Sequence, residues 1–375
     1  MKRQLKKFQL EGFPSKKEII KAEKEIFPLV LSPSVSALCN LRCIYCYTRA
    51  GKKLPGELDF ADHAKAINEF TELNRHNKYM IIAMMGETFL DKSLYNVKGK
   101  NIVDPITKKN FVSKFPIIDY ANRCGIKVVF FTNTTVINKK IAEELKGKNV
   151  SIIGKLNTLN PKLQEEMTGG KGFFVEEEWV DYEYLVGGKK KKIKIPKGLN
   201  ALIEAGFNKI NERGNTSLGV DIILTEKNYK DVPKVVEFCL ENFIHPVLDT
   251  MLPIGSAAEN YFELKLKTET NRWLYKRLLQ LLGSNFAEAE FTGNPCSTFR
   301  AGIAYDNFGN VRMCCGGEAD GIGNIKRDSL KDIYQKMIRY KGNFLSNLRE
   351  NKLGNDVFPE CPVANYFRKE LEKSI

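Results

Sequence analysis

No stretch of this chain approaches the roughly 18–20 consecutive apolar residues needed to cross a bilayer, although 43% of its residues are hydrophobic. The N-terminal run MKRQLKKFQLEGFPSKKEII is basic but has no continuous apolar block, so it does not read as a secretion signal. Both absences point to a cytoplasmic chain with no membrane partner. Histidine is scarce: His63, His76 and His245 are the only three. A zinc site built on clustered cysteines would therefore lack its usual fourth ligand nearby. Nine cysteines in a cytoplasmic chain do not suggest a disulfide framework, since such thiols in close groups are ligands or catalytic groups. Seven of the nine fall into two groups, Cys39, Cys43 and Cys46 early, and Cys296, Cys314, Cys315 and Cys361 late. Cys124 and Cys239 sit in apolar helical patterns and read as small core residues.

The formal net charge of +14 raises nucleic acid as a partner, because a basic surface attracts phosphates. Its distribution speaks against that. The densest run, Lys189 to Lys192, follows an acidic stretch that includes Glu176, Glu177, Glu178, Asp181 and Glu183, and Gly187-Gly188 divides the two. Two glycines between β-prone runs read as a hairpin turn, across which acidic and basic strands would pair and largely neutralise each other. Nucleic acid stays possible on charge but is not favoured.

Ser15 followed by Glu18 is a capping-box signature for a short lead-in helix. Strand-like apolar runs then recur at 28–35, 79–85, 126–132, 149–157, 217–225 and 246–252. Helical periodicity lies between or after them at 60–75, 115–123, 137–146, 197–206 and 231–243. Continuous apolar strands alternating with helices indicate an α/β fold with a parallel sheet. Six such units predict a partial (β/α)6 barrel. Two polar segments, 91–113 and 170–196, follow strand ends on the face where such barrels carry their sites; they are either lids or surface decoration. From about residue 290 the pattern changes to a short β-like run, GIAYDNFGNVRMCC, with a turn at Asp306, Asn307 and Gly309, then a helix at 328–349. The expected division is a lead-in at 1–27, the barrel at 28–260, and a small α+β cysteine-bearing domain at 261–375.

Cys39-Asn40-Leu41-Arg42-Cys43-Ile44-Tyr45-Cys46 is a C-x3-C-x2-C triad just after the first predicted strand. A loop can wrap three thiols around one iron–sulfur cube, whereas a helix could not turn all three inward, and three thiolates leave one iron open. The triad, with Tyr45 just before its last cysteine, resembles that of the radical S-adenosylmethionine (radical SAM) superfamily. The resemblance implies a [4Fe–4S] cluster on Cys39, Cys43 and Cys46 whose open iron chelates S-adenosylmethionine. It further implies one-electron cleavage to methionine and a 5′-deoxyadenosyl radical, which abstracts a substrate hydrogen while the protein positions the cofactor. Other segments are similar to that family's motifs in order. Met85-Gly86-Glu87 resembles a Gly-Gly-Glu motif with Met85 in place of the first glycine. Phe131-Thr132-Asn133 resembles the segment beside the ribose. Lys155-Leu156-Asn157 stands where relatives carry Ser-Leu-Asp; there Lys155 would either neutralise the cofactor carboxylate or be an exposed strand-end lysine. Leu224 would pack on the adenine. The resemblance, over residues 28–260, thus makes Tyr45, Gly86, Glu87, Thr132, Asn133, Lys155, Asn157 and Leu224 cofactor-binding.

The later cysteines follow a C-x12-G-x4-C pattern, Cys296 to Gly309 to Cys314, that resembles the first half of the SPASM/twitch extension of these enzymes. By that resemblance Cys296, Cys314 and Cys361, with Cys315 less securely placed, hold a second, auxiliary iron–sulfur cluster; the alternative is four reduced thiols in a small core. Only four of the seven cysteines of a full SPASM pattern are present, which fits the shorter twitch form and a single extra cluster. The resemblance implies an oxidoreductase-type reaction on a small-molecule or peptide substrate, with flavodoxin or ferredoxin as electron donor. Some 35 residues precede the triad, too few for a leader-binding winged helix, and the chain ends Glu-Lys-Ser-Ile rather than in a Gly-Gly tail. Both lean toward a small molecule. Two alternatives stay open: an epimerase in which Cys315 is the catalytic hydrogen donor, and an RNA- or nucleotide-modifying enzyme.

Overall fold

Six apolar runs become six parallel strands in the computed structural model, which describes residues 8–83, 85–169, 176–283, 297–314 and 322–348. They are β1 (Val30–Pro33), β2 (Lys78–Ile82), β3 (Ile126–Thr132), β4 (Val150–Lys155), β5 (Leu218–Leu224) and β6 (His245–Thr250). A seventh parallel strand, β7 (Gly302–Tyr305), pairs with β1, setting Ile303 opposite Leu31, and β8 (Val311–Arg312) turns back antiparallel to it. The sheet order is β6-β5-β4-β3-β2-β1-β7-β8, an open curved sheet and not a closed ring. The expected turn at 306–309 is present, with Asp306 accepting the N–H groups of Phe308 and Asn310 at 2.9 Å each. This C-terminal hairpin thereby continues the barrel sheet along the free edge of β1.

Helix α1 (Lys16–Glu25) belongs to the lead-in. The helices after it are α2 (Phe60–Leu73), α3 (Pro116–Arg123), α4 (Lys139–Leu145), α5 (Pro161–Thr168), α6 (Lys197–Ala205), α7 (Val232–Glu241), α8 (Ser256–Leu264), α9 (Thr268–Leu282), α10 (Ser297–Ala301) and α11 (Leu330–Leu348), and most of them cover one face of the sheet. Alternate strand residues such as Leu31, Met80, Val128, Phe130, Ile152 and Ile222 pack toward them in the main core. The other set, including Val30, Tyr79, Ile81, Val129 and Ile153, meets Leu10, Ile19, Ala22 and Phe27 of the lead-in. Ser15 and Glu18 form the expected capping box on α1, and Glu18 also accepts from Tyr79 Oη at 2.7 Å. The lead-in therefore stoppers the barrel interior at the starts of the strands and leaves their C-terminal ends open.

The two polar insertions prove to be decoration over their described residues. The acidic–basic hairpin forms between Trp179–Val186 and Lys189–Pro196, with Gly187 and Gly188 both at positive φ (57° and 79°), where glycine carries no Cβ penalty. Glu183 lies opposite Lys192, and Lys192 reaches Asp181 at 3.0 Å, so the charges neutralise each other as their order predicts. Such exposed pairs add little stability. The hairpin is held instead by buried Trp179, Tyr184 and Ile195, and by the rings of Tyr182 and Tyr184 set edge-on to Phe238 of α7. The segment after Glu87 forms a second hairpin, Lys100–Val103 with Asn110–Ser113, fastened by buried Ile102 and by Arg123 of α3 stacked 3.9 Å from the Phe111 ring. Both hairpins dock on the outer helices.

Candidate active site

The cysteine loop follows β1 and has no regular structure of its own, so its shape comes from what grips it. Glu87 N–H donates to the Leu38 carbonyl at 2.7 Å, Cys39 N–H to Gly51 at 3.2 Å, and Gly51 N–H to Ala37 at 2.7 Å. From the end of α5, the Thr168 and Met167 carbonyls accept from Arg42 N–H at 2.9 Å and Ile44 N–H at 3.1 Å. The start of α8 contributes Ala257 N–H to the Cys46 carbonyl at 3.1 Å, and Asn260 Nδ2 to the Ile44 carbonyl at 3.0 Å. Two glycines make the grip possible. Gly86 (φ 72°) lies so near the Ser36 and Leu38 carbonyl oxygens, and Gly169 (φ 57°) so near that of Arg42, that a Cβ at either would overlap them. Of these supports only the Gly86-Glu87 segment belongs to the motifs read from sequence. Gly169 stands at the left-handed end of α5, a helix that lies in none of the helical patterns read from sequence.

Cys39 and Cys43 are half-buried, and burial pushes their thiols up, to about 11 and about 12. The neighbouring Cys46 thiol raises both further, and Cys39 also raises Cys43, so the three thiols lie within electrostatic reach of one another. Such a set holds its protons until a cation replaces them, which is the behaviour of a metal-binding thiol group. Leu41 N–H donates to Cys39 Sγ at 3.4 Å, a bond that favours the thiolate. Among the described residues no three His, Cys, Asp or Glu side chains converge tightly enough to hold a single metal ion. An iron–sulfur cube spreads three thiolate ligands over three irons, and three thiols supplied by one loop fit such a cluster.

Glu87, buried to 1% exposure, joins β2 to β3. Its carboxylate accepts from Thr132 Oγ1 at 2.8 Å and Asn133 N–H at 2.6 Å, and Asn133 Nδ2 donates to Asn40 Oδ1 inside the triad at 2.8 Å. Thus Gly86, Glu87, Thr132 and Asn133 gather beside the cysteine loop, and Asn40, missed in the sequence, is the link. Burial outweighs these hydrogen bonds and lifts the Glu87 carboxyl to about 7. Its folded value lies above its unfolded one, so the folded chain holds a proton that the unfolded chain has already lost. Stability should therefore fall as pH rises from about 4.5 through about 7, with a total loss of up to about 3 kcal/mol. Urea melts of the cluster-free protein between pH 5 and 8 check this: Glu87→Gln should flatten the profile, and an unchanged slope would refute it.

Tyr45 is buried among Met167, Met251, Ala257, Tyr261 and Leu264. Its hydroxyl accepts from Asn157 Nδ2 at 2.7 Å, while Asn157 Oδ1 accepts Ile223 N–H at 2.9 Å. Asn157 is thus fully engaged in tying the cysteine loop to β4 and β5. Lys155 is neither exposed nor unmatched. It faces Asp221 across the β4–β5 register, forms an ion pair with it, and lies 5.5 Å from the Tyr45 ring centroid. Asp221 Oδ1 is buried without a hydrogen-bond partner, so Lys155 is that carboxylate's counter-charge. Lys155→Met should cost about 3 kcal/mol by stranding a buried charge. The double variant with Asp221→Leu should recover much of that in denaturation; no recovery would refute the pairing. Leu224 is buried in the main core, while its neighbour Ile223 packs against the Tyr45 group. Strand alternation is the reason: successive side chains leave opposite faces.

Of the late cysteines, Cys314 is buried in the main core just after β8. Cys296, Cys315 and Cys361 lie outside the described residues. Cys239 is fully buried in α7, as its pattern predicts, while Cys124 is half-buried at the end of α3. Among the described residues no helix is long and apolar enough to cross a membrane.

A profile described as the Radical SAM superfamily matches residues 34–239, a span that contains the cysteine triad and the motif residues from Gly86 to Leu224. The chain is similar to an uncharacterised protein of Methanocaldococcus jannaschii, 33% identical over 122 residues that make up 32% of this chain and 35% of that protein. It is also similar to a probable GTP 3′,8-cyclase of the same organism, 21% identical over 66% of this chain and 69% of the relative. A third relative is the mycofactocin maturase MftC of Mycolicibacterium smegmatis, 22% identical over 76% and 64%. The chain thus spans only about a third of the first relative's length and close to two thirds of the other two. Its fold is similar to that of Streptococcus suis SuiB bound to S-adenosylmethionine, with a TM-score of 0.55 at 16% identity, covering 93% of this chain and 80% of that one.

Proposed function

Since this chain belongs to the radical SAM superfamily, we propose that it is an oxidoreductase-type radical enzyme, removing a hydrogen atom and then a proton and a second electron from a small-molecule or peptide substrate at the open end of the barrel. The family's cofactors, a [4Fe–4S] cluster and S-adenosylmethionine, supply the hydrogen-abstracting radical when bound. The chain's own residues do the positioning. Cys39, Cys43 and Cys46 would ligate three irons, and backbone gripped by Gly86 and Gly169 holds them in register. Glu87, Thr132 and Asn133 brace the loop from β2 and β3, and Tyr45 and Asn157 from β4 and β5. An adenine would pack against Ile223, which lies beside the Tyr45 group, in place of Leu224. Lys155 would sense the cofactor carboxylate while paired with Asp221. In residues 261–375, Cys296, Cys314 and Cys361, with or without Cys315, would hold an auxiliary cluster that accepts the second electron. Flavodoxin or ferredoxin would supply the separate electron that reduces the triad's cluster, which suits a cytoplasmic enzyme.

The observation that carries this reading is the gathering of three thiols in one loop braced by the ends of four successive barrel strands. A peptide substrate has its support in MftC and in SuiB, a fold neighbour bound to its precursor peptide SuiA. Anaerobic reconstitution tests the whole: about eight irons per chain and 5′-deoxyadenosine after reduction are expected. About four irons, unchanged by Cys296→Ala and Cys361→Ala, would remove the auxiliary cluster, and no nucleoside would remove the enzyme.

A further inference from the structure

A cavity of about 410 Å³ opens between the residues that follow the triad and the C-terminal hairpin of β7 and β8. Ala37, Ala50, Met85 and Phe308 are among its apolar walls, and Arg42, Arg49, Lys52 and Arg312 its cations. Its size is that of a small-ligand site. It adjoins the cysteine loop directly, since Arg42 lies between Cys39 and Cys43 and Met85 precedes Gly86.

Among the described residues its charge is unbalanced. Asp306 is the sole carboxylate among the described lining residues, against four cations, an excess of three. Asp306 is also saturated: it accepts two backbone N–H groups, Asn310 Nδ2 at 3.2 Å and Arg312 at 3.1 Å. Arg49 meets Glu259, which stands outside the lining, at 2.5 Å. Arg42 hydrogen-bonds only neutral groups, the Cys39 and Leu41 carbonyls at 2.9 and 2.6 Å. Neither Arg42 nor Lys52 has a carboxylate partner among the described residues. Uncompensated cations around a concave site concentrate anions there, and guanidinium forks match phosphate and carboxylate oxygens.

We propose that this cavity seats the charged end of the substrate, and that the substrate is a small, multiply charged oxyanion, phosphorylated or polycarboxylated. The inference rests on the radical-enzyme reading above for the word substrate, but the site itself is independent of that reading. Arg42, Arg49 and Lys52 from the triad side and Arg312 from the C-terminal hairpin would grip the anion from two directions, leaving its apolar part over Met85.

Equilibrium dialysis of the reconstituted holoenzyme against inorganic pyrophosphate, and separately against citrate, tests it. One saturable equivalent should bind, and Lys52→Ala and Arg312→Gln should each weaken binding about tenfold, the scale of one charged hydrogen bond. Arg312→Lys should recover part of the loss, and Lys189→Ala, on the outer hairpin, should change nothing. If Arg312→Gln melts early, exposed Lys52 still gives the reading. Tighter pyrophosphate binding identifies a phosphorylated substrate, and tighter citrate binding a polycarboxylate. No saturable binding of either anion, or equal weakening by Lys189→Ala, overturns the proposal. The same holoenzyme assayed for 5′-deoxyadenosine separates the two claims. Nucleoside without anion binding leaves the radical reading and removes this one, and the converse removes only the former.

Discussion

Cys43→Ala is expected to lose about four irons per chain and to lower 5′-deoxyadenosine formation by more than about a hundredfold, beyond what outer-shell changes around metal sites usually cost. Cys43 is the middle ligand of the triad, and its neighbours on both sides are fixed by backbone bonds to α5. The other described thiols outside the triad are poorly placed to replace it: Cys239 is sealed in α7, Cys314 lies in the core behind β8, and Cys124 ends α3 at the start of β3, the opposite end of the strand from the site. Its burial works the same way: a half-buried thiol pushed up to about 12 is poorly ionised until a cation displaces the proton. Iron and sulfide counts with visible absorbance, followed by the nucleoside assay, check the outcome. Cys239→Ala is the control and should keep its iron. Full iron in Cys43→Ala would mean that the triad is not the ligand set.

Gly86→Ala should destabilise the protein by more than about 4 kcal/mol and leave the cysteine loop unable to take up iron. Two costs combine. A non-glycine residue at φ 72° costs roughly 1–2 kcal/mol for its left-handed backbone. The larger cost is the new Cβ, which would overlap the Ser36 and Leu38 carbonyl oxygens, and backbone atoms cannot rotate aside as a side chain can. The Glu87 N–H bond to Leu38 lies in the same contact, so relief by separation breaks the link between β2 and the triad. Gly56→Ala separates the two costs. Gly56 also has positive φ, 85°, but nothing lies within 4 Å of its Cβ position, so only the first cost of roughly 1–2 kcal/mol should appear. Urea denaturation of both variants decides; equal losses would show that the close approach at Gly86 does not matter.

Much of this fold can be read from residue order, and the reasons are local. Ile126–Thr132 and Leu218–Leu224 announce themselves because a parallel strand covered on both faces is largely apolar, with Lys127 and Asp221 the charged exceptions. The same property obscures which way each apolar side chain points. Ile223-Leu224 by itself does not tell that Ile223 packs against the Tyr45 group and Leu224 in the main core; Asp221, two residues before Ile223, marks the face they share. The charge order around Gly187-Gly188 foretells the pairing of Asp181 with Lys192, but docking on α7 depends on Phe238, some fifty residues away. Glu57 is the plainest gap. It accepts from Ser36 Oγ at 2.7 Å, Ala37 N–H at 3.0 Å and Asn307 Nδ2 at 2.9 Å, coupling the cysteine loop to the C-terminal hairpin. A glutamate in a polar loop carries no local signal of such a role. The triad itself was legible because three ligands of one cluster must lie close in sequence when a single loop supplies them.

The pairing of β1 with β7 has a consequence for the growing chain. Leu31 waits for Ile303, and Ser34 N–H waits for the Tyr305 carbonyl, while every intervening unit is made. Domains form as they leave the ribosome, so β2 can join one side of β1 early while the other side stays bare until nearly the whole barrel exists. A bare parallel edge is a template for the wrong neighbour. Pro33, which has no N–H to offer, blunts the end of that edge nearest the cysteines. The strand that launches the reactive loop is thus the last to be enclosed, and its proline guards it in the meantime.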